Sequence, residues 1–228
     1  MKIAVCQLDI KYEDKEYNLA SAKEYVAEAK ERGADMILFP EMSFTGFSMN
    51  TDLTGEDDDY TYDLIGEWAS QMDIAIGFGW VLYKENSENH YSVFDNEGNL
   101  LGDYTKIHLF EDAKEDEHFE PGDEIVAFDY MGLNIGLSIC YDLRFDDTYD
   151  ELAGADVILV PANWPEARRD DYRDLLIERA KQYECYMIGI NCCGDQEEHY
   201  TGDSAVVTPE GEVLFEVYDE ESLEIVEI

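Results

Sequence analysis

Short aliphatic runs alternate with helix-length amphipathic stretches, and this alternation constrains the fold of the chain more than any other feature. Ile3–Leu8 is rich in Ile, Val and Leu, as a buried strand requires. Leu19, Ala22, Val26 and Ala29 then recur at helical spacing between Asn18 and Arg32, and Gly33 stops the helix. Met36–Phe39 is a second buried strand, ended by Pro40. A strand–helix–strand succession makes the two strands parallel. The pattern continues with a helix through Ile65, Trp68, Ala69 and Met72 and strands at Ile74–Leu82, Leu133–Ile139, Val157–Val160 and Cys185–Ile190. A third helix runs through Tyr172, Leu176, Ala180 and Tyr183. Tyr91–Phe94 and Leu100–Tyr104 flank the turn sequence Asp95–Asn99 as a hairpin, and Ala205–Thr208 and Val213–Val217 form another around Pro209–Glu212. Leu223–Ile228 is a terminal strand. The acidic runs Glu56–Asp59, Glu111–Glu117, Asp146–Glu151 and Asp219–Glu221 fall between these elements and read as solvated loops. Each half repeats the same order, and no linker separates them. One α/β domain over residues 1–228, with helices outside its sheet layers, is the expectation.

Composition narrows the function. With 228 residues the chain is long enough to bury roughly 70% of its extended surface. Aromatic residues make up 13%, too many for a disordered acidic tail. The formal net charge of -40 repels phosphate backbones, and the densest basic pair, Arg168-Arg169, is followed at once by two aspartates. Neither nucleic acid nor an anionic membrane is an expected partner. No apolar run approaches the ~20 residues that span a bilayer, and the N-terminus lacks the pattern of a signal peptide. A cytoplasmic location is expected. The five cysteines form no CxxC pair, which argues against a disulfide framework or a zinc knuckle.

Functional residues of α/β folds gather beyond the carboxyl ends of strands. Here that rule selects Glu41 in FPEMSFTGF, Lys106 in YTKIHLF, Cys140 in GLSICYDLRF, and Asn163 with Trp164 in VPANWP. Singly each has an ordinary reading: a surface carboxylate, a salt bridge, a buried thiol, a turn. In order and together they resemble the nitrilase superfamily of carbon–nitrogen hydrolases, over nearly the whole chain. The stretch PANWPEARRDDYRDLLIERAKQYECYMIGIN is most similar to the omega-amidase branch, which cleaves the side-chain amide of short 2-oxo acid amides.

The resemblance implies a four-layer α-β-β-α sandwich, typically at least a homodimer through its outer helices. It implies Glu41 as general base, Lys106 as the triad lysine and Cys140 as nucleophile. It also places a second carboxylate at Glu115, with Glu117 competing. Substrate contacts are expected from the Tyr141 backbone, Arg144, Asn163 and the aromatic walls Phe44 and Trp164. The expected substrate is a small amide, with no cofactor and no metal.

These residue types suit the chemistry. A cysteine attacks as thiolate, and a carboxylate within reach can take its proton. An ammonium and a backbone N–H can then hold the oxyanion, each worth roughly 3–4 kcal/mol when preorganised. A Cys–His hydrolase is a rival, but only His108 lies near a strand end, where a structural hydrogen-bonding role fits better. Other readings stay open: an N-carbamoyl amide hydrolase or a nitrilase with the same triad, or a non-catalytic acidic binding protein. The chain departs from the family pattern at DLRFDDTYDEL and at Asn191-Cys192-Cys193-Gly194, where an Arg commonly follows the Asn. That second departure bears on substrate choice.

Overall fold

The computed structural model describes residues 1–228. β1 (Lys2–Gln7) buries both faces: Ile3 and Val5 enter one apolar cluster, Ala4 and Cys6 another. Successive side chains of a strand point to opposite faces, so an unbroken apolar run needs a layer on each side. On one side α1 (Lys15–Glu31) supplies Leu19, Ala22, Val26 and Ala29. Asp14 caps it by accepting the Tyr17 N–H at 3.1 Å. β2 (Met36–Leu38) divides like β1, with Met36 and Leu38 in one cluster and Ile37 in the other. After α2 (Thr51–Thr54), α3 (Tyr60–Met72) adds Ile65, Trp68 and Ala69 to the helix-side cluster. β3 (Ala75–Leu82), β4 (Glu88–Phe94) and β5 (Leu100–Thr105) complete the first half.

The second half contains β6 (Ala127–Tyr130), β7 (Leu133–Leu137), α4 (Asp146–Glu151), β8 (Val157–Ala162), α5 (Arg169–Tyr183) and β9 (Tyr186–Asn191). β10 (Cys193–Asp195), β11 (His199–Val207), β12 (Val213–Tyr218) and β13 (Ser222–Glu227) follow. One sheet runs β13-β1-β2-β3-β4-β5; the other runs β10-β11-β9-β8-β7-β6, with β12 beside β11. β1, β2 and β3 are parallel, as are β7, β8 and β9, and both expected hairpins form. The larger apolar cluster joins Ile3, Val5 and Leu38 of the first sheet to Ile135, Leu137 and Leu159 of the second, so the sheets pack face to face. α5 covers the second sheet's outer face. It comes so close to β9 that a β-carbon on Gly189 would lie 2.7 Å from both Leu176 Cδ1 and the Tyr172 hydroxyl. The architecture is the expected α-β-β-α sandwich.

Several acidic runs depart from the loop reading. Asp146–Glu151 is helical, because Thr148 and Tyr149 anchor it inward and Tyr149 meets Ser138 Oγ at 2.9 Å. Glu56 is buried against Lys15 at 2.6 Å, and Glu115 lies fully inside. β6 is a short edge strand with one buried residue, too weakly patterned to show in the sequence. No helix is long and apolar enough to cross a membrane.

Candidate active site

Glu41 follows β2 at a sharp turn where Met42 takes a positive φ of 41°. The turn lies flat on β3: the Ser43 N–H donates to Gly79 O at 3.0 Å, and a β-carbon on Gly79 would stand 2.8 Å from the Glu41 carbonyl carbon. The Glu41 carboxylate is thereby fixed where the two sheets meet, with no solvent exposure. Its Oε1 accepts from Lys106 Nζ at 2.9 Å and from Asn89 Nδ2 at 2.8 Å. Its Oε2 accepts the Asn163 backbone N–H at 2.8 Å, and that residue comes from the other sheet.

Lys106 follows β5 and is also fully buried. Besides Glu41 it donates to both oxygens of Glu115, at 3.1 and 2.9 Å. Glu115 accepts two further bonds, from Phe110 N at 2.7 Å and Asn89 Nδ2 at 3.1 Å. A lysine and two glutamates thus share a dry site with one more negative than positive charge. Burial works against the ammonium, but Glu115 and Glu41 outweigh it and hold the Lys106 pKa well above the usual lysine range. Burial pushes Glu115 upward; Lys106 opposes that shift and Glu41 adds to it. Of the two carboxylates the sequence offered, Glu115 meets Lys106, whereas Glu117 is exposed and lies 3.7 Å from Lys114.

Cys140 stands three residues beyond Leu137 at the end of β7, with a positive φ of 49° that non-glycine residues seldom adopt. Asp142 holds this elbow. It accepts from Ile139 N and the Tyr104 hydroxyl at 2.9 Å each, and from His108 N at 2.8 Å. The His108 ring pairs with the same carboxylate at 3.0 Å, which is the structural role expected of it. Burial raises the Cys140 pKa well above the usual thiol value and Glu41 raises it further; Lys106 and the Asn163 N–H pull the other way. The resting group is therefore a thiol that needs a base.

A cavity of about 90 Å³ opens on this elbow, with Cys140 and Lys106 in its wall. Tyr141, Arg144, Asn163 and Trp164 line it, as expected. Phe44 does not. The turn at Met42 sends it into the helix-side core, 6.1 Å from Phe39 and 6.2 Å from Phe78 between ring centroids; Phe47 lines the cavity instead. Tyr200, Arg168, Glu197 and Glu198 also line it, and none was marked by a strand end. Arg144 stacks over Trp164 at 4.9 Å and pairs with Asp171 at 2.8 Å, rather than with Asp142 or Asp146. Arg168 stacks over Phe110 at 4.4 Å, and Asp112 lies 3.8 Å from it, beyond hydrogen-bond reach. Asn89, which ties both glutamates together, had no sequence signal beyond its place in β4.

Residues 2–228 match the sequence profile of the family described as carbon-nitrogen hydrolase. The chain belongs to that family. The 2-oxoglutaramate amidase of Bacillus subtilis (strain 168) is 31% identical over 233 residues, spanning 99% of this chain and 90% of that protein. The omega-amidase YafV of Escherichia coli (strain K12) is 32% identical over 184 residues, spanning 80% and 72%. Among solved structures, an amidase from Nesterenkonia sp. AN1 superposes with a TM-score of 0.94 at 26% identity, covering 100% of this chain and 93% of that one. That structure records acrylamide added to the protein's active-site cysteine, and the protein is assigned to the nitrilase superfamily. Carbon–nitrogen hydrolases of the amidase type are thus similar to this chain along its whole length, and an amidase-type activity follows.

Proposed function

We propose that this carbon–nitrogen hydrolase is an omega-amidase-like enzyme that releases ammonia from a small carboxylate-bearing amide through a thioester on Cys140. The observation that carries the reading is one small cavity with Lys106 and Cys140 in its wall and two arginines at its rim, backed by Glu41, which bonds Lys106 at 2.9 Å. Glu41 takes the thiol proton as sulfur attacks the amide carbonyl carbon. The oxyanion that forms is held by the Lys106 ammonium and the Tyr141 backbone N–H. The C–N bond then breaks, and Glu41 returns its proton to the leaving nitrogen, which departs as ammonia. Water, deprotonated by Glu41, attacks the thioester; the acid leaves and the thiol is restored.

Glu115 has a different part. All four of its hydrogen bonds are committed to Lys106, Phe110 and Asn89, so it positions the ammonium and leaves proton transfer to Glu41. Arg144 and Arg168 suit the substrate carboxylate, since a guanidinium pairs with a carboxylate through two parallel bonds. Trp164 and Phe47 wall the acyl chain, and the Asn163 N–H steadies Glu41. The family likeness also supports a cytoplasmic homodimer joined through its outer helices; a mass near twice 26.2 kDa in solution light scattering tests that.

An ammonia-release assay comparing 2-oxoglutaramate, 2-oxosuccinamate, glutamine, a simple nitrile and an N-carbamoyl amino acid tests the reading. Turnover of the oxo-acid amides, lost in Cys140→Ala, is expected. Ammonia from the nitrile or the carbamoyl compound alone would replace it with the second reading. A fully active Cys140→Ala enzyme would end it.

A further inference from the structure

The mechanism leaves Cys192 without a part, yet this thiol is fully buried in the structure supporting the base. Its Sγ lies 2.9 Å from Asn163 Oδ1. The orientation of the Asn163 amide is settled by its other end, because Nδ2 donates to the backbone carbonyl of Glu41 at 2.6 Å. Oδ1 must then face Cys192, and a carbonyl oxygen only accepts. The thiol is therefore the donor in this bond and keeps its proton. Burial, with Cys193 and Glu41 nearby, also holds its pKa well above the usual thiol value.

Two more bonds fix the sulfur. Gln196 Nε2 donates to it at 3.4 Å, while Gln196 Oε1 accepts the Phe47 N–H at 3.3 Å. The Cys192 backbone N–H donates to Asn191 Oδ1 at 3.0 Å, and the same oxygen receives the Trp164 N–H at 2.8 Å. A continuous chain of donors runs from the cavity wall at Phe47 through Gln196, Cys192 and Asn163 to both the carbonyl and the carboxylate of Glu41. Asn163 is held from its far side by this one thiol. A commoner arginine at this position would bring a long charged side chain into a space sized for a sulfur.

We infer that Cys192 is a positioning residue for the proposed general base: its S–H donor orients Asn163, and Asn163 sets Glu41. The inference rests on Glu41 being the base. It predicts that what matters at position 192 is a small side chain with a hydrogen to donate. Serine keeps that hydrogen and alanine removes it.

The test compares Cys192→Ser and Cys192→Ala with the parent enzyme in kcat and KM for the amide turned over best, with melting temperature recorded for each. Displacement of a catalytic group by a fraction of an ångström lowers rate far more than substrate affinity. Cys192→Ala is expected to lose about tenfold or more in kcat with KM within about twofold. Cys192→Ser is expected to stay within about threefold of the parent in both. Should Cys192→Ala fail to fold, Cys192→Ser decides alone: parental turnover supports the inference, and a loss above about thirtyfold overturns it. An alanine variant with parental kcat, or a serine variant as impaired as alanine, overturns it too. Glu41→Gln measured alongside separates the two levels of argument. If it keeps parental activity, the base assignment itself falls and this inference with it; if it is inactive, only the Cys192 pair decides.

Discussion

At the scale of single residues, the site is governed by what burial does to charge. Lys106, Glu41 and Glu115 have no contact with solvent, and the one ammonium pairs with both carboxylates. Removing one partner of such a group leaves a bare buried charge, which costs about 3–5 kcal/mol. Lys106→Met should therefore lower stability by about that amount in urea unfolding, besides abolishing turnover. Turnover lost at parental stability would show that the glutamates do not need the ammonium. The sequence displayed the three motif residues because each lies just beyond the end of a readable strand. It hid Asn89, Asn163's grip on Glu41 and the Asp142 hub, because these are contacts between residues 34 to 122 positions apart. Phe44 misled for a local reason: the positive φ at Met42 reverses the chain just before it, so position in the motif did not give side-chain direction.

Secondary-structure elements set the precision of this arrangement. β8 and β9 deliver Asn163 and Asn191 side by side, and α5 presses on both strands through Leu176 and Tyr172. Gly189 is the point of closest approach, so Gly189→Ala must push α5 outward. Overpacking of this kind costs about 1–3 kcal/mol. A lowered melting temperature accompanied by reduced kcat is expected; an unchanged melting temperature would mean that α5 is free to shift. On β4, His90 is nearly buried between Asp103 at 3.0 Å and Glu88 at 3.0 Å. Burial disfavours its charge, but the two carboxylates prevail and raise its pKa above the ordinary value near 6.5. A raised folded-state pKa means that this stabilisation is full below about pH 6.5 and is lost as pH rises through the higher folded value. His108 contributes with the same sign, through Asp142 against partial burial. His90→Gln should thus destabilise more at pH 5.5 than at pH 8.5, as seen in melting curves at both; an equal loss would refute the assignment. α4 shows why some elements escaped the sequence: DDTYDE offers one apolar anchor, Tyr149, too little for a periodic signal.

For the molecule as a whole, a net charge of -40 sits on a fold whose carboxylates are mostly exposed. The like charges repel one another and would repel the proposed carboxylate-bearing substrate, and at the cavity rim Arg144 and Arg168 stand beside Glu197 and Glu198. Salt shortens the range of this repulsion, from about 8 Å at physiological ionic strength to about 3 Å at 1 M. Melting temperature and kcat/KM for an oxo-acid amide should both rise with KCl over that interval, and flat responses would separate the charge from stability and function. The strand–helix alternation made an α/β domain with covered sheets legible, whereas the four-layer sandwich was implied by the family resemblance, because the pattern of a single strand does not say which sheet it joins. Complete burial of Lys106 has one more consequence. Every other lysine has some solvent exposure, so an amine-reactive reagent under native conditions will modify those first. Lys106 is approached only through the cavity it shares with Cys140, and its Nζ is tied down there by three hydrogen bonds to Glu41 and Glu115. Its rate of acylation, read by peptide mass spectrometry, is therefore a clock for the loosening of that ion-pair cluster, counting releases too rare and brief for a static picture to register.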